Sequence, residues 1–202
     1  MRITIIDHGP GNVASVERAL ARISISTERA ISEQAIARAT AVILPGVGHF
    51  SALVRALDEN SLRAPLSRAI ARGVPFLGIC LGLQALYESS DEAPVLRGLG
   101  MLPGHVSALP AQSKLPHMGW NRVHPLPGSR LFRGIPVESY FYFAHSFAAS
   151  PIASAETVAT CTYGCEFVAA IERGNLFGVQ FHPEKSGAAG AQLLRNFVRL
   201  AA

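Results

Sequence analysis

Hydrophobic and polar positions fall into two textures along the chain. Arg2 to Ile6, RITII, is a short β-branched run that stops at the polar loop DHGPGN. In the following VASVERALARI the apolar residues recur at helical spacing, so the opening unit reads strand, loop, helix. Ala41 to Gly48, AVILPGVG, repeats the plan: a strand closed by proline and glycine, then the helical FSALVRALDEN. RAPLSRAIARG predicts a further helix, which leads into the strand VPFLGIC and the helical stretch LGLQALYESS, Leu81 to Ser90. Uniformly apolar strands separated by helices imply a parallel sheet covered on both faces. After about Gly98 the segments shorten to HVSALP, WNRVHPL, SYFYFAHSF, TVATCTYG, FVAAIERG and LFGVQFHP. These read as strands with few helices between them, so antiparallel hairpins are expected beside the parallel core. The chain closes on a helix, GAAGAQLLRNFVRL.

Composition narrows the class. With 202 residues, 49% of them hydrophobic, the chain can bury one full core, and a single domain over 1–202 is expected. The net charge is +4, but 16 of the 18 basic residues are arginines scattered among apolar positions. No basic stripe with interleaved aromatics is present, which argues against a nucleic-acid partner. Three cysteines, Cys80, Cys161 and Cys165, cannot all pair with one another, and a reducing compartment is expected. The N-terminal apolar run is too short for a signal peptide or a membrane span, so the expected protein is soluble and cytoplasmic. Cys161 and Cys165 are four apart but lack further ligands nearby, and neither a metal nor a cofactor is expected.

The chemistry concentrates at Cys80. GICLG, Gly78 to Gly82, has the spacing of a nucleophile elbow with sulfur in place of oxygen. The flanking glycines remove Cβ atoms where a strand reverses sharply into a helix, which lifts Cys80 to the carboxyl edge of the sheet, where open α/β folds bind ligands. At a helix N-terminus its pKa is expected to fall below the ~8.5 of an ordinary thiol. A buried structural cysteine is the alternative. GVQFHPEKS adds His182 and Glu184 just beyond another apolar strand. A thiol that attacks a carbonyl needs a base, and the base needs a carboxylate to fix its tautomer; Cys80, His182 and Glu184 supply the three roles. An oxyanion needs backbone donors, for which the LPGVGHF loop offers Val47 and Gly48 and the elbow offers Leu81; a plain tight turn is the other reading of that loop.

With these motifs in place, the chain resembles the class I, or triad, glutamine amidotransferases, whose elbow reads much like GICLGLQ and whose base motif reads much like HPE. Within that family it is most similar to the glutaminase subunits of imidazole glycerol phosphate synthase, through DHGPGN, PGVGHF, LPHMGWN, YFYFAHSF and GVQFHPEKS in that order. The resemblance implies a flavodoxin-like fold and hydrolysis of glutamine to glutamate and ammonia through a Cys80 thioester. It also implies substrate contacts from Gln84 and Glu92 and from the main chain at Gly48, His145, Ser146 and Phe147. The family's ammonia feeds a cyclase barrel, so it implies a heterodimer whose interface on this chain includes Asn12, Met118, Trp120 and Tyr142. For Trp120, the one tryptophan, core packing is the alternative. The family's glutaminase is expected to idle until the partner binds its nucleotide ligand, from which an oxyanion-loop rearrangement at Gly46 to Gly48 is predicted. Two positions depart from the pattern: His8 stands where an aromatic such as tyrosine is expected, and Phe147 where tyrosine is frequent. Two other readings stay open, a glutaminase serving another ammonia-using synthase and a catalytically silent regulatory subunit.

Overall fold

Apolar runs and helical repeats alternate through the first half of the structure, a computed structural model that describes residues 2–9, 12–151 and 156–201. Pro10 and Gly11 of the DHGPGN motif lie outside the described residues. In chain order the first half comprises β1 (Ile3–Ile6), α1 (Val13–Ala21), β2 (Thr27–Ala30), α2 (Glu33–Arg38), β3 (Ala41–Gly46), α3 (Phe50–Glu59), α4 (Arg63–Ala71), β4 (Phe76–Cys80) and α5 (Leu81–Gln84). The second half comprises β5 (Ser89–Ser90), β6 (His105–Ala108), β7 (His117–Arg122), β8 (His124–Pro125), β9 (Tyr140–His145), β10 (Phe147–Ala149), β11 (Thr157–Tyr163), β12 (Cys165–Arg173), β13 (Leu176–Val179) and α6 (Gly187–Leu200).

The main sheet runs β2-β1-β3-β4-β13-β12-β11-β8. Its first five strands are parallel and the last three antiparallel. Strands β1, β3 and β4 are buried along their whole length because helices cover both faces. Alternation splits their side chains between two cores. Ile3, Ile5, Ile43, Leu77 and Ile79 meet α1 and α6 through Val16, Leu20, Leu193 and Phe197. Ile6, Val42, Leu44 and Phe76 meet α2, α3 and α4 through Ile36, Leu53, Leu57 and Leu66. Each such fully buried leucine, isoleucine or phenylalanine contributes about 1.5–3 kcal/mol.

Two features differ from the expectation. LFGV, grouped by its neighbours with the antiparallel strands, returns to the parallel core: β13 lies beside β4 with Phe177 opposite Leu77 and Val179 opposite Ile79. The chain beyond β13 therefore passes the end of β4, where Cys80 stands. The helix expected over Leu81 to Ser90 stops at Gln84. Its next carbonyls are taken by a distant segment, with Leu99 N–H donating to Ala85 O (2.6 Å) and Leu102 N–H to Leu86 O (2.9 Å). That segment reaches so close only because residue 98 is glycine, where a Cβ would stand 2.0 Å from Tyr87 O. Two small sheets, β10-β6-β5 and the antiparallel β7-β9, flank the site.

Candidate active site

Strand β4 ends in a sharp turn. Cys80 sits at φ 55°, ψ −109°, a region that costs a non-glycine residue about 1–3 kcal/mol and that recurs where a side chain is held for function. The turn is possible because its neighbours are glycines. A Cβ on Gly78 would stand 2.7 Å from Gly82 O, and one on Gly82 would stand 1.8 Å from Leu44 O on β3. The four-residue α5 carries little macrodipole, so the helix expected to favour the thiolate is reduced to one turn. What faces Cys80 instead is His182.

His182 follows β13, immediately before a 3-10 turn at Pro183–Lys185. Its N–H donates to Tyr142 O on β9 (2.8 Å), and its carbonyl accepts from Ser186 Oγ (2.6 Å), so the main chain is held from both sides. The ring's Nδ1 contacts Glu184 Oε1 at 2.8 Å, and both side chains are almost wholly out of solvent, 1% and 0% exposed. Asn12 Nδ2 donates to the same Oε1, which ties the opening loop to the carboxylate, while Glu184 Oε2 is buried with no partner among the described residues. Burial disfavours charge on the imidazole, but the charge and hydrogen bond of Cys80, with Glu184 behind, outweigh it and push the His182 pKa up to about 10.

A cavity of about 430 Å³ opens over the sulfur. Val47, Gly48, Leu81, Gln84, Glu92, His145, Ser146 and Phe147, scattered over a hundred positions of sequence, all line it together with Cys80 and His182. Gln84 Nε2 donates to Phe147 O (2.7 Å), and Glu92 Oε2 accepts from Phe50 N–H at the start of α3 (2.7 Å). Gly48 takes φ 94°, a left-handed value open to glycine without strain. His8, the departure in the opening loop, is buried and its Nε2 donates to Pro45 O (2.8 Å), which anchors that loop to the strand leading into Gly46–Gly48.

Gln180, which carries no role in the GVQFHPEKS motif as read from sequence, also joins the site. Its Nε2 lies 3.7 Å from Cys80 Sγ and its Oε1 accepts from Gln84 Nε2 (3.1 Å). A polar amide inside the apolar run GVQF, two residues before His182, was the signal available. Lys185 also lines the cavity, with its ammonium 5.4 Å from the Tyr142 ring centroid. Of the residues expected at a partner face, Asn12 is drawn into the cavity wall. Met118 and Trp120 are 64% and 55% exposed on β7, so Trp120 is not a core residue, and it packs edge-on against half-buried Tyr142 (centroids 6.2 Å). Cys161 and Cys165 lie far along the hairpin of β11 and β12, in register with Phe167 and Tyr163, and burial pushes the Cys161 thiol up to about 12. Among the described residues no group of three His, Cys, Asp or Glu is placed to hold a metal, and no helix is long and apolar enough to cross a membrane.

Known proteins share both the sequence and the fold. Residues 4–201 match the family "Glutamine amidotransferase class-I". The imidazole glycerol phosphate synthase subunit HisH of Moorella thermoacetica is 49% identical over 199 residues, covering 98% of this chain and 94% of that protein. The HisH subunit of Methanothermobacter thermautotrophicus is 45% identical over 198 residues, covering 98% of each. Among solved structures, a glutamine amidotransferase superposes with a TM-score of 0.78 at 18% identity over 98% of both chains. A PurLQS structure from Thermotoga maritima superposes with a TM-score of 0.77 at 18% identity, covering 98% of this chain and 97% of that one. At that identity the two structures speak for the fold alone, whereas the sequence matches reach further: the chain belongs to the class-I glutamine amidotransferases and, among them, to the imidazole glycerol phosphate synthase HisH subunits.

Proposed function

We propose that this chain is the glutaminase subunit of an imidazole glycerol phosphate synthase, with Cys80 as nucleophile, His182 as acid and base, and Glu184 as the carboxylate that orients His182. The observation that carries the reading is the strained Cys80 elbow sharing one cavity with His182, whose ring is backed by buried Glu184. Cys80 sulfur attacks the side-chain amide carbon of glutamine. The C–N bond then breaks as His182 passes its proton to nitrogen, and ammonia leaves a γ-glutamyl thioester. Water, losing a proton to His182, then cleaves the C–S bond to release glutamate and restore the thiol.

Backbone donors at Val47, Gly48 and Leu81 stabilise the oxyanion, and Gln84, Glu92 and the main chain at Gly48, His145, Ser146 and Phe147 hold the substrate. The ammonia passes to a cyclase subunit that makes imidazole glycerol phosphate and aminoimidazole carboxamide ribotide in histidine biosynthesis. The names of the relatives support this pathway over another ammonia-using synthase. Met118 and Trp120, both exposed, with half-buried Tyr142 and the cavity-lining Asn12, form the face toward that subunit; aromatic and sulfur-bearing side chains are enriched at interface centres. A single domain over 1–202 carries the activity, supported by one continuous sheet in which the strands of the two halves join through the β4–β13 pair. The working site is the cytoplasm, where a free thiol stays reduced.

Glutamate release from glutamine tests the assignment, measured for the chain alone, with its cognate cyclase subunit, and with that subunit plus its nucleotide ligand. The expected result is low activity alone and a large rise with the liganded subunit. High activity alone, or no response to the subunit, would contradict the pathway. The pH profile checks His182 separately. The imidazolium that protonates the departing nitrogen is lost as pH rises through the folded-state pKa, which lies near 10 and not near the ordinary 6.5. For the assembled enzyme, kcat/KM is therefore expected to stay within roughly twofold from about pH 7 to about pH 9. A falling limb near the ordinary histidine value would contradict the ion-paired state. The same sign governs stability: the contribution of His182 is fully present below 6.5 and is lost as pH climbs through about 10.

A further inference from the structure

The side chains of two buried histidines beside the site are used by none of these steps. β7 pairs with β9 so that His117 stands opposite His145, and alternation along β7 turns His117 and Asn121 inward while Met118 and Trp120 face out. His145 Nδ1 contacts Phe147 O (2.9 Å), His145 Nε2 contacts His117 Nδ1 (3.0 Å), and His117 Nε2 contacts Asn121 Nδ2 (3.3 Å). Asn121 Nδ2 also donates to Thr162 O (3.0 Å), and its Oδ1 accepts from Arg122 N–H (2.8 Å), which fixes the amide's orientation.

Only one proton arrangement satisfies this chain. Phe147 O can only accept, so His145 carries its proton on Nδ1 and accepts at Nε2. His117 must then donate from Nδ1 and accept from Asn121 at Nε2. A second proton on either ring sets two donors against each other. The His117 ring is clamped between Phe143 and Tyr163, with centroids at 4.7 and 4.0 Å. The other titratable group facing His145 is His182. Burial acts in the same direction, pushing His145 down to about 3 and His117 down to about 4.

The chain of bonds ends on the wall of the cavity. Phe147 O is gripped by two donors, His145 Nδ1 and Gln84 Nε2, and the main chain just before it brings Ala144 O within 3.9 Å of Cys80 Sγ. We propose that His117 and His145 are positioning residues for glutamine, a neutral pair with a single proton order that fixes the Ala144 to Phe147 main chain against Cys80. The proposal rests on the glutaminase reading and adds His117 and the side chain of His145, which act through the backbone without touching the reacting atoms. Losing the His117 donor leaves His145 Nε2 unpaired in the interior and frees that ring from Phe147 O.

The test combines a spectroscopic and a kinetic readout on the full chain. Long-range ¹⁵N–¹H spectra of histidine-labelled protein are expected to show His117 and His145 as neutral rings protonated on Nδ1, with His117→Asn used to assign them. With the liganded cyclase subunit, His117→Phe keeps a ring between Phe143 and Tyr163 but lacks the donor. It is expected to raise KM for glutamine about tenfold with kcat within about twofold of wild type. His117→Asn places an amide nitrogen where Nδ1 stood and is expected to return KM to within about threefold of wild type. A proton on Nε2 of either ring, or an unchanged KM in His117→Phe, would overturn the proposal; the spectra decide it even if His117→Phe fails to fold. Absence of glutamine turnover by the wild-type assembly would instead overturn the glutaminase reading itself.

Discussion

Cys80→Ala is expected to lower glutamine hydrolysis by the assembled enzyme at least ~10³-fold while leaving the chain folded. Without the sulfur no thioester forms, and direct attack by water on the amide must proceed with only the cavity's positioning and backbone donors to help. Alanine keeps the Cβ and suits the same buried space, so the cavity stays and glutamine binding survives. The substitution also takes away the Cys80 contribution that raises the His182 pKa, so that pKa is expected to move down from about 10. Glutamate release at saturating glutamine checks the first part, and a histidine titration followed by NMR checks the second. Retention of more than about a tenth of the activity would remove Cys80 from the chemistry.

Gly82→Ala is expected to produce the largest loss of stability of any single added methyl group at the site. The new Cβ would meet Leu44 O at 1.8 Å, and the obstacle is backbone in the neighbouring strand. Leu44 is itself held in register with Gly78 on β4, so neither side can move without opening the β3–β4 pair. Overpacking against backbone of this kind places the cost at about 3 kcal/mol or more, or a melting temperature lower by roughly 10 °C for a chain of this length. Gly73→Ala is the matched control. Gly73 takes φ 85° but has nothing within 4 Å of its would-be Cβ, so that variant bears conformational strain alone, about 1–2 kcal/mol. Equal melting temperatures for the two variants would show that the elbow is not crowded in the way described.

The parts of the fold legible in the sequence are those where local pattern and burial agree. β1, β3 and β4 read as strands because they are buried on both faces and so are apolar almost throughout, Thr4 in β1 being the one buried hydroxyl among them. β2 and α2 left no such mark: β2 is an edge strand with Ala30 its one buried residue, and α2 is six residues long. α5 is shorter than its side-chain pattern predicts, because Ala85 and Leu86 carry good helical side chains while their carbonyls are claimed by residues 99 and 102. The antiparallel texture of the second half hid the parallel return of β13, since strand direction is set by which edge of the sheet is open.

At the site, the glycines around Cys80 and the HPE run were legible because an elbow and a base impose local residue types. Gln180 was not, since a glutamine in a strand becomes a neighbour of Cys80 only once β13 is laid beside β4. The same holds for His117 and His145, whose contact exists only through the pairing of β7 with β9. His8, which stands where the family pattern has an aromatic such as tyrosine, is a buried tether to Pro45, a contact that joins positions 37 apart and so leaves no local mark in the sequence.

Acid-quenched mass spectrometry of the chain during turnover of glutamine with its liganded cyclase subunit decides the matter. A glutamyl adduct carried by the peptide that contains Cys80, absent from the Cys80→Ala variant, is the predicted result. Glutamate release at full rate with no adduct on Cys80, or with an adduct on Cys161 or Cys165, would contradict the mechanism.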